Sequence, residues 1–193
     1  MPKYFAIILT IWSIFFMPSL HAEEAIFAMG CFWSAESTFR NHDTNQPLPG
    51  IQSLRVGYAG GTVPNPTYEN HSGYKEALKI EFDPEKISYA KLLDIFWHNI
   101  DLFDATGQFC DNGPSYTTVV FYKNTQQQKD AVESKAAIEQ QMKQSLPTEI
   151  ISATSFYEAE EYHQNYSFKN SINYKLYRIG CGRDSRLNYI WGK

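Results

Sequence analysis

The chain is poor in cysteine, with Cys31, Cys110 and Cys181 in 193 residues. So few, odd in number and widely spaced, exclude the disulfide framework that staples small secreted domains. They leave either a redox cycle or one ordinary disulfide beside a buried free thiol. Basic charge is also short: 17 Lys and Arg stand against 21 Asp and Glu, a net −4, which excludes the electrostatic footprint of a nucleic-acid binder. There is no glycine-rich nucleotide motif, no internal repeat and no low-complexity tract. The one long apolar run, Tyr4 to Met17, is short for a membrane span. Lys3 precedes it, and Pro18, Ser19, Leu20, His21 and Ala22 follow. That layout reads as a secretory signal peptide over residues 1–22, cleaved after Ala22, with an uncleaved N-terminal anchor as the alternative. Ala28-Met29-Gly30-Cys31 has the look of a lipidation box, but Glu23 and Glu24 separate it from the apolar run.

What remains, residues 23–193, fits one domain able to bury a core without disulfides. Aromatic residues reach 16 %, with 13 tyrosines, enough to build both a core and a site from rings and phenols. Ala25 to Met29 reads as a strand, as do the alternating Leu54, Val56, Tyr58 and Leu78, Ile80, Phe82. Ser88 reads as the N-cap of a helix running to about Asn99, with Tyr89, Leu92, Leu93, Phe96 and Ile100 inward. Tyr116 to Tyr122 and Ile150 to Thr154 are further expected strands. Lys129 to Lys143 and Glu158 to Tyr166 are expected helices. Asn41 to Gly50, Thr62 to Gly73 and Asp101 to Ser115 are loops, and the last two have the length of functional ones. Interleaved helices and strands give an α/β (α+β) two-layer sandwich, a mixed sheet with packed helices.

Gly30-Cys31-Phe32-Trp33 sits between the first strand and a stretch of helical composition. A thiol at a helix N-terminus meets unpaired N–H groups, which favour the nucleophilic thiolate, and two adjacent aromatics wall it with apolar surface. Gly30-Cys31-Phe32-Trp33-Ser34-Ala35-Glu36 resembles the signature of the peptide methionine sulfoxide reductase A family. Ordered blocks continue the resemblance: Gly57-Tyr58-Ala59-Gly60-Gly61, Asn65-Pro66-Thr67-Tyr68-Glu69, Phe82-Asp83-Pro84, Gly107-Gln108 with Asp111, Gly113 and Tyr116, and Ala159-Glu160 with Tyr162-His163-Gln164. They span roughly residues 25 to 190.

The resemblance implies a ferredoxin-like plait core and reduction of methionine S-sulfoxide, free or in proteins, with no cofactor and no metal. A sulfoxide sulfur becomes electrophilic when its oxygen is protonated or strongly hydrogen-bonded, so a thiolate, an acid and hydrogen-bond donors are required. By resemblance Cys31 is the nucleophile, Glu76 the acid, and Tyr68 and Tyr116 the donating phenols. Asp111 organises the site through water, and Phe32 and Trp33 hold the S-methyl group. Each has a plainer reading: a surface glutamate beside Lys75, core tyrosines, a turn aspartate, helix-anchoring aromatics. The loop between Tyr68 and Glu76 is about four residues shorter than the family's, and Tyr74-Lys75 replaces its His-Ala, so Glu69 stands as fallback acid. A sulfenic acid on Cys31 needs a second thiol. Cys181, in the glycine-flanked and expectedly mobile tail Tyr177 to Asp184, is the first candidate and Cys110 the second.

The rivals are a cysteine hydrolase pairing Cys31 with His163 and a non-catalytic sulfoxide- or peptide-binding module in which Cys31 is tied up in a structural bridge. The favoured expectation is an exported reductase, in a bacterial periplasm, that repairs oxidised proteins and draws electrons from a thioredoxin-like donor.

Overall fold

The computed structural model describes residues 22–192; the signal-peptide reading of residues 1–22 lies, but for Ala22, outside them. Strand β1 (Glu23–Ala28) leads through Gly30 into α1 (Phe32–Thr38). Then come β2 (Ile51–Ala59), β3 (Lys75–Phe82) and α2 (Tyr89–His98). A small hairpin, β4 (Gly107–Gln108) and β5 (Asp111–Asn112), precedes β6 (Val119–Tyr122) and α3 (Thr125–Met142). Strands β7 (Glu149–Ser152) and β8 (Phe156–Glu158) are followed by α4 (Tyr166–Lys169), α5 (Ser171–Gly180) and α6 (Arg183–Trp191). The main sheet runs β7-β6-β1-β3-β2-β8. It is mixed, because β6 and β7 are parallel while the other pairs are antiparallel. The expected mixed sheet with packed helices is what forms.

Period-two patterning decides what each strand buries. Along β3, Glu76, Leu78, Ile80 and Phe82 share one face and are buried; they lie on the core side with Phe27, Tyr58, Phe96 and Trp97. Ala77 falls on the opposite face with Ile26, Val119 and Phe121. A glutamate in register with leucine and isoleucine is thus carried into the interior by the alternation itself. Ser88 caps α2 by accepting from the Lys91 N–H, and all five residues expected on its inner side are buried. Trp97 donates from Nε1 to Ser134 Oγ at 3.0 Å, tying α2 to α3.

Three expectations shift. The strand foreseen from Tyr116 begins at Val119, because Pro114 starts a single 3₁₀ turn through Tyr116. The helix foreseen over Glu158 to Tyr166 is not there. That segment starts as β8, which pairs with the edge of β2, and then turns. Its helical composition is overridden by Gln164, whose side-chain amide spends its hydrogen bonds on Val56 N–H, Val56 C=O and Ala159 C=O. The tail read as a mobile arm is instead two helices meeting at Gly182, whose φ of 61° makes the corner. Tyr174, Arg183 and Leu187 bury its inner side.

Candidate active site

Gly30 has a φ of +82°, and a Cβ there would come within 2.5 Å of the Gln108 Cβ. Only glycine fits. Gln108 is itself fixed, accepting from Asp101 N–H at 2.7 Å and donating to Asp101 C=O at 3.0 Å. The turn delivers Cys31 to the N-cap of α1, where its carbonyl accepts from Ser34 and Ala35. Cys31 is a free, buried thiol. Below it, Glu76 is 2 % exposed and accepts from the Phe32 N–H at 2.9 Å. The shortened loop therefore does not displace Glu76 from the cysteine. Glu69, the fallback acid, is exposed.

Burial drives the electrostatics. Desolvation, opposed by the Phe32 N–H and reinforced by Asp111, lifts Glu76 from an ordinary 4.5 to about 8, so at neutral pH it is chiefly a carboxylic acid. Cys31 is pushed up to about 12, first by desolvation and next by Glu76, with a Tyr177 hydrogen bond pulling the other way. The resting thiolate expected at this helix start is thus corrected. The helix has only seven residues and the Cys31 side chain makes no capping bond, so burial outweighs the dipole.

Tyr68, in the loop before β3, and Tyr116, in the 3₁₀ turn, are both brought to this point. Burial raises both phenols, and Glu76 and Cys31 add to each, so both stay protonated donors near neutral pH. The Tyr68 backbone N–H donates to Glu160, whose other oxygen accepts from Tyr58. Phe32 is buried; Trp33 is half-buried, stacked on Tyr166 at 3.8 Å between centroids, and its Nε1 donates to His163 Nδ1 at 3.0 Å. His163 is a neutral acceptor, lowered by burial. With Nδ1 accepting from the indole, the neutral ring carries its hydrogen on Nε2, which has no partner, so neither nitrogen is a base for Cys31 and the ground for a hydrolase is removed.

Cys110 and Cys181 are joined to each other, with Cα atoms 4.9 Å apart. The question of which one partners Cys31 therefore changes form, since each partners the other while Cys31 stays free. The bridge of the binding-module rival would have included Cys31 and does not. An Asp111 carboxylate oxygen lies within 4.8 Å of both sulfurs. This trio has metal-ligand chemistry, but its sulfurs are spent on one another. Asp111 Oδ2 accepts from the Tyr177 hydroxyl at 2.5 Å, and that hydroxyl is also close enough to Cys31 to ease its ionisation.

Two residues of the site, Tyr177 and Arg183, carry no signal in the sequence. Tyr177 is one of 13 tyrosines, in a segment whose glycines read as a mobile tail, and no pattern singles it out. Arg183, 2 % exposed and 4.2 Å over the Phe109 ring, lies in the same tail. Glu160, His163 and Gln164 stand out in the sequence only as motif letters, and geometry gives them work: they hold Tyr68, Trp33 and β2 in place.

Comparison with known proteins agrees with this geometry. A family model described as peptide methionine sulfoxide reductase matches residues 23–193. A peptide methionine sulfoxide reductase MsrA of Bacillus licheniformis is 44 % identical over 177 residues, covering 89 % of this chain and 94 % of that protein. One from Ligilactobacillus salivarius is 46 % identical over 175 residues, covering 88 % and 98 %. Among solved structures, reduced Mxr1 of Saccharomyces cerevisiae superposes with a TM-score of 0.70 at 27 % identity, over 80 % of this chain and 88 % of its own. Methionine sulfoxide reductase A of Corynebacterium diphtheriae gives the same score and identity over 80 % and 77 %.

Proposed function

The chain belongs to the peptide methionine sulfoxide reductase A family, and from that premise we propose how its residues divide the work. It is an oxidoreductase that reduces methionine sulfoxide with thiols and collects the oxidising equivalents in the Cys110–Cys181 disulfide. The substrate is the S epimer, free or in oxidised proteins. Its methyl group lies against Phe32 and Trp33, and its oxygen receives hydrogen bonds from Glu76, Tyr68 and Tyr116. Protonation by Glu76 makes the sulfur electrophilic. Cys31 then gives two electrons, the S–O bond breaks, methionine leaves with the electron pair, and the oxygen stays on Cys31 as a sulfenic acid.

Cys181 attacks that sulfenic acid, releasing water and forming a Cys31–Cys181 bond. Cys110 attacks next, giving the Cys110–Cys181 disulfide and returning Cys31 as a thiol. The single observation that carries this reading is the coexistence of a free Cys31 over Glu76 with the neighbouring pair already joined. No resident cofactor or metal takes part in the sequence of steps.

The core is read as a ferredoxin-like plait. That reading is supported by the β1-α1-β2-β3-α2-β6 order of elements, with the separate β4–β5 hairpin and the 3₁₀ turn inserted before β6, and by the β6-β1-β3-β2 run within the sheet. The electron donor is a thioredoxin-like dithiol protein; Mxr1 of Saccharomyces cerevisiae has been solved in complex with Trx2. Residues 1–22 export the domain, and among the described residues no helix is long and apolar enough to cross a membrane. An exported enzyme of this kind repairs oxidised envelope proteins of a periplasm, with electrons drawn across the membrane.

The test is turnover of L-methionine S- and R-sulfoxide with dithiothreitol, comparing wild type, Cys31→Ser and Glu76→Gln. Strict S-epimer reduction, abolished in the first variant and at least about 10²-fold slower in the second, is expected. Well-folded wild type inert toward both epimers overturns the reading. Cys181→Ser should release a first methionine normally and then fail to recycle; recycling through an internal disulfide in that variant overturns its place in the relay.

A further inference from the structure

The reductase reading, on which this proposal rests, has an acid for the sulfoxide oxygen but no destination for the Cys31 proton. Glu76 already carries a proton at neutral pH and is occupied with the substrate oxygen. A thiol is a poor nucleophile until it loses its hydrogen, so a base is required on the other side of the sulfur.

We propose that Tyr177 is a catalytic residue, passing the Cys31 proton through its hydroxyl to the Asp111 carboxylate as sulfur attacks. The Tyr177 hydroxyl stands at both ends of that path: it donates to Asp111 Oδ2 at 2.5 Å, and it lies near enough to the Cys31 sulfur to ease its ionisation. Its ring is held by the Trp33 indole, edge to face at 83° and 6.2 Å between centroids. The helix that carries it, α5, is anchored by buried Tyr174. A phenol has one hydrogen. With that hydrogen given to the carboxylate, the oxygen lone pairs are left to receive the S–H.

The transfer balances. The S–H bond breaks, its proton joins the Tyr177 oxygen, and the hydrogen Tyr177 held moves to Asp111, so the phenol ends neutral. The electron pair freed on sulfur is the one that attacks. Glu76 protonates the oxygen that becomes the sulfenic acid. Asp111 then gives its proton to water and Glu76 regains one, restoring the resting state. The titratable and charged groups nearest this path are Glu76 from β3, protonated at neutral pH, Asp111 from β5 and Arg183 from α6. Burial raises Asp111, which suits it to take a proton, while the Tyr177 hydroxyl and the charge of buried Arg183, whose Nε lacks a partner, pull the other way.

The experiment uses the reduced full chain with no donor present. It measures first-turnover methionine release, and Cys31 alkylation by iodoacetamide, from about pH 6 to about pH 10. Tyr177→Phe keeps the ring and removes the hydroxyl. Its first turnover at pH 7 should fall roughly 10²-fold. The ratio to wild type should close as pH rises and hydroxide takes the thiol proton directly, and alkylation should follow the same course. Asp111→Asn should show the same pH-closing deficit, which keeps the test alive if the tyrosine variant does not fold. A deficit constant across pH assigns Tyr177 to packing and overturns the relay. Unchanged rates mean that the proton leaves by another route and overturn it too. Wild type that reduces neither epimer would instead refute the reductase reading itself.

Discussion

Glu76→Gln should make this protein more stable while crippling it. The folded carboxyl keeps its proton up to about pH 8, whereas an ordinary one releases it near 4.5. Between those values the folded chain binds more protons than the unfolded chain, so stability falls as pH rises. The slope approaches about 1.4 kcal/mol per pH unit, and the accumulated loss above pH 8 is on the order of 5 kcal/mol. Below about pH 4.5 both states are protonated and the effect vanishes. Glutamine keeps the shape and can still accept from the Phe32 N–H that Glu76 binds, but has no proton to lose. Urea unfolding of the disulfide-intact proteins, pH unit by pH unit, reads the effect directly. The two curves should meet near pH 4 and separate steadily to pH 8, the variant above. Parallel curves, or a variant that is weaker at pH 8, would show that Glu76 is not held protonated by burial.

The same protonation has a kinetic face: first-turnover rates in wild type should decline above about pH 8 as the acid is lost, a limb that Glu76→Gln lacks, measured by methionine release. Gly30→Ala should cost at least about 2 kcal/mol in urea unfolding, since it adds a positive-φ penalty to a clash with Gln108, and should lower activity with it. Gln164→Ala leaves the Val56 N–H and C=O and the Ala159 C=O without their partner; about 2–4 kcal/mol of stability should go, by the same assay.

Much of the site is legible in the sequence because it is local. Gly30-Cys31-Phe32-Trp33 needs one turn and one helix start, and both are written in adjacent residues. The alternation through Leu78, Ile80 and Phe82 is visible, and with it the burial of Glu76 comes by register. What escapes is tertiary. Gln164 uses its amide to hold β2, so a stretch of helical composition becomes a turn. In α5, Ile172, Leu176 and Ile179 are largely exposed, so its aliphatic letters do not mark the side that packs. Nor does composition reveal the ionisation of Cys31, which depends on how completely Glu76, Tyr177 and the sheet exclude water.

The free Cys31 beside a completed disulfide fixes a stoichiometry. One sulfoxide draws its two electrons from the Cys110 and Cys181 pair and leaves the third sulfur at its starting oxidation level. A second sulfoxide can then be reduced by Cys31 alone, ending as the sulfenic acid. A fully reduced chain therefore holds four electrons' worth of repair, two methionines per molecule, before it meets any donor.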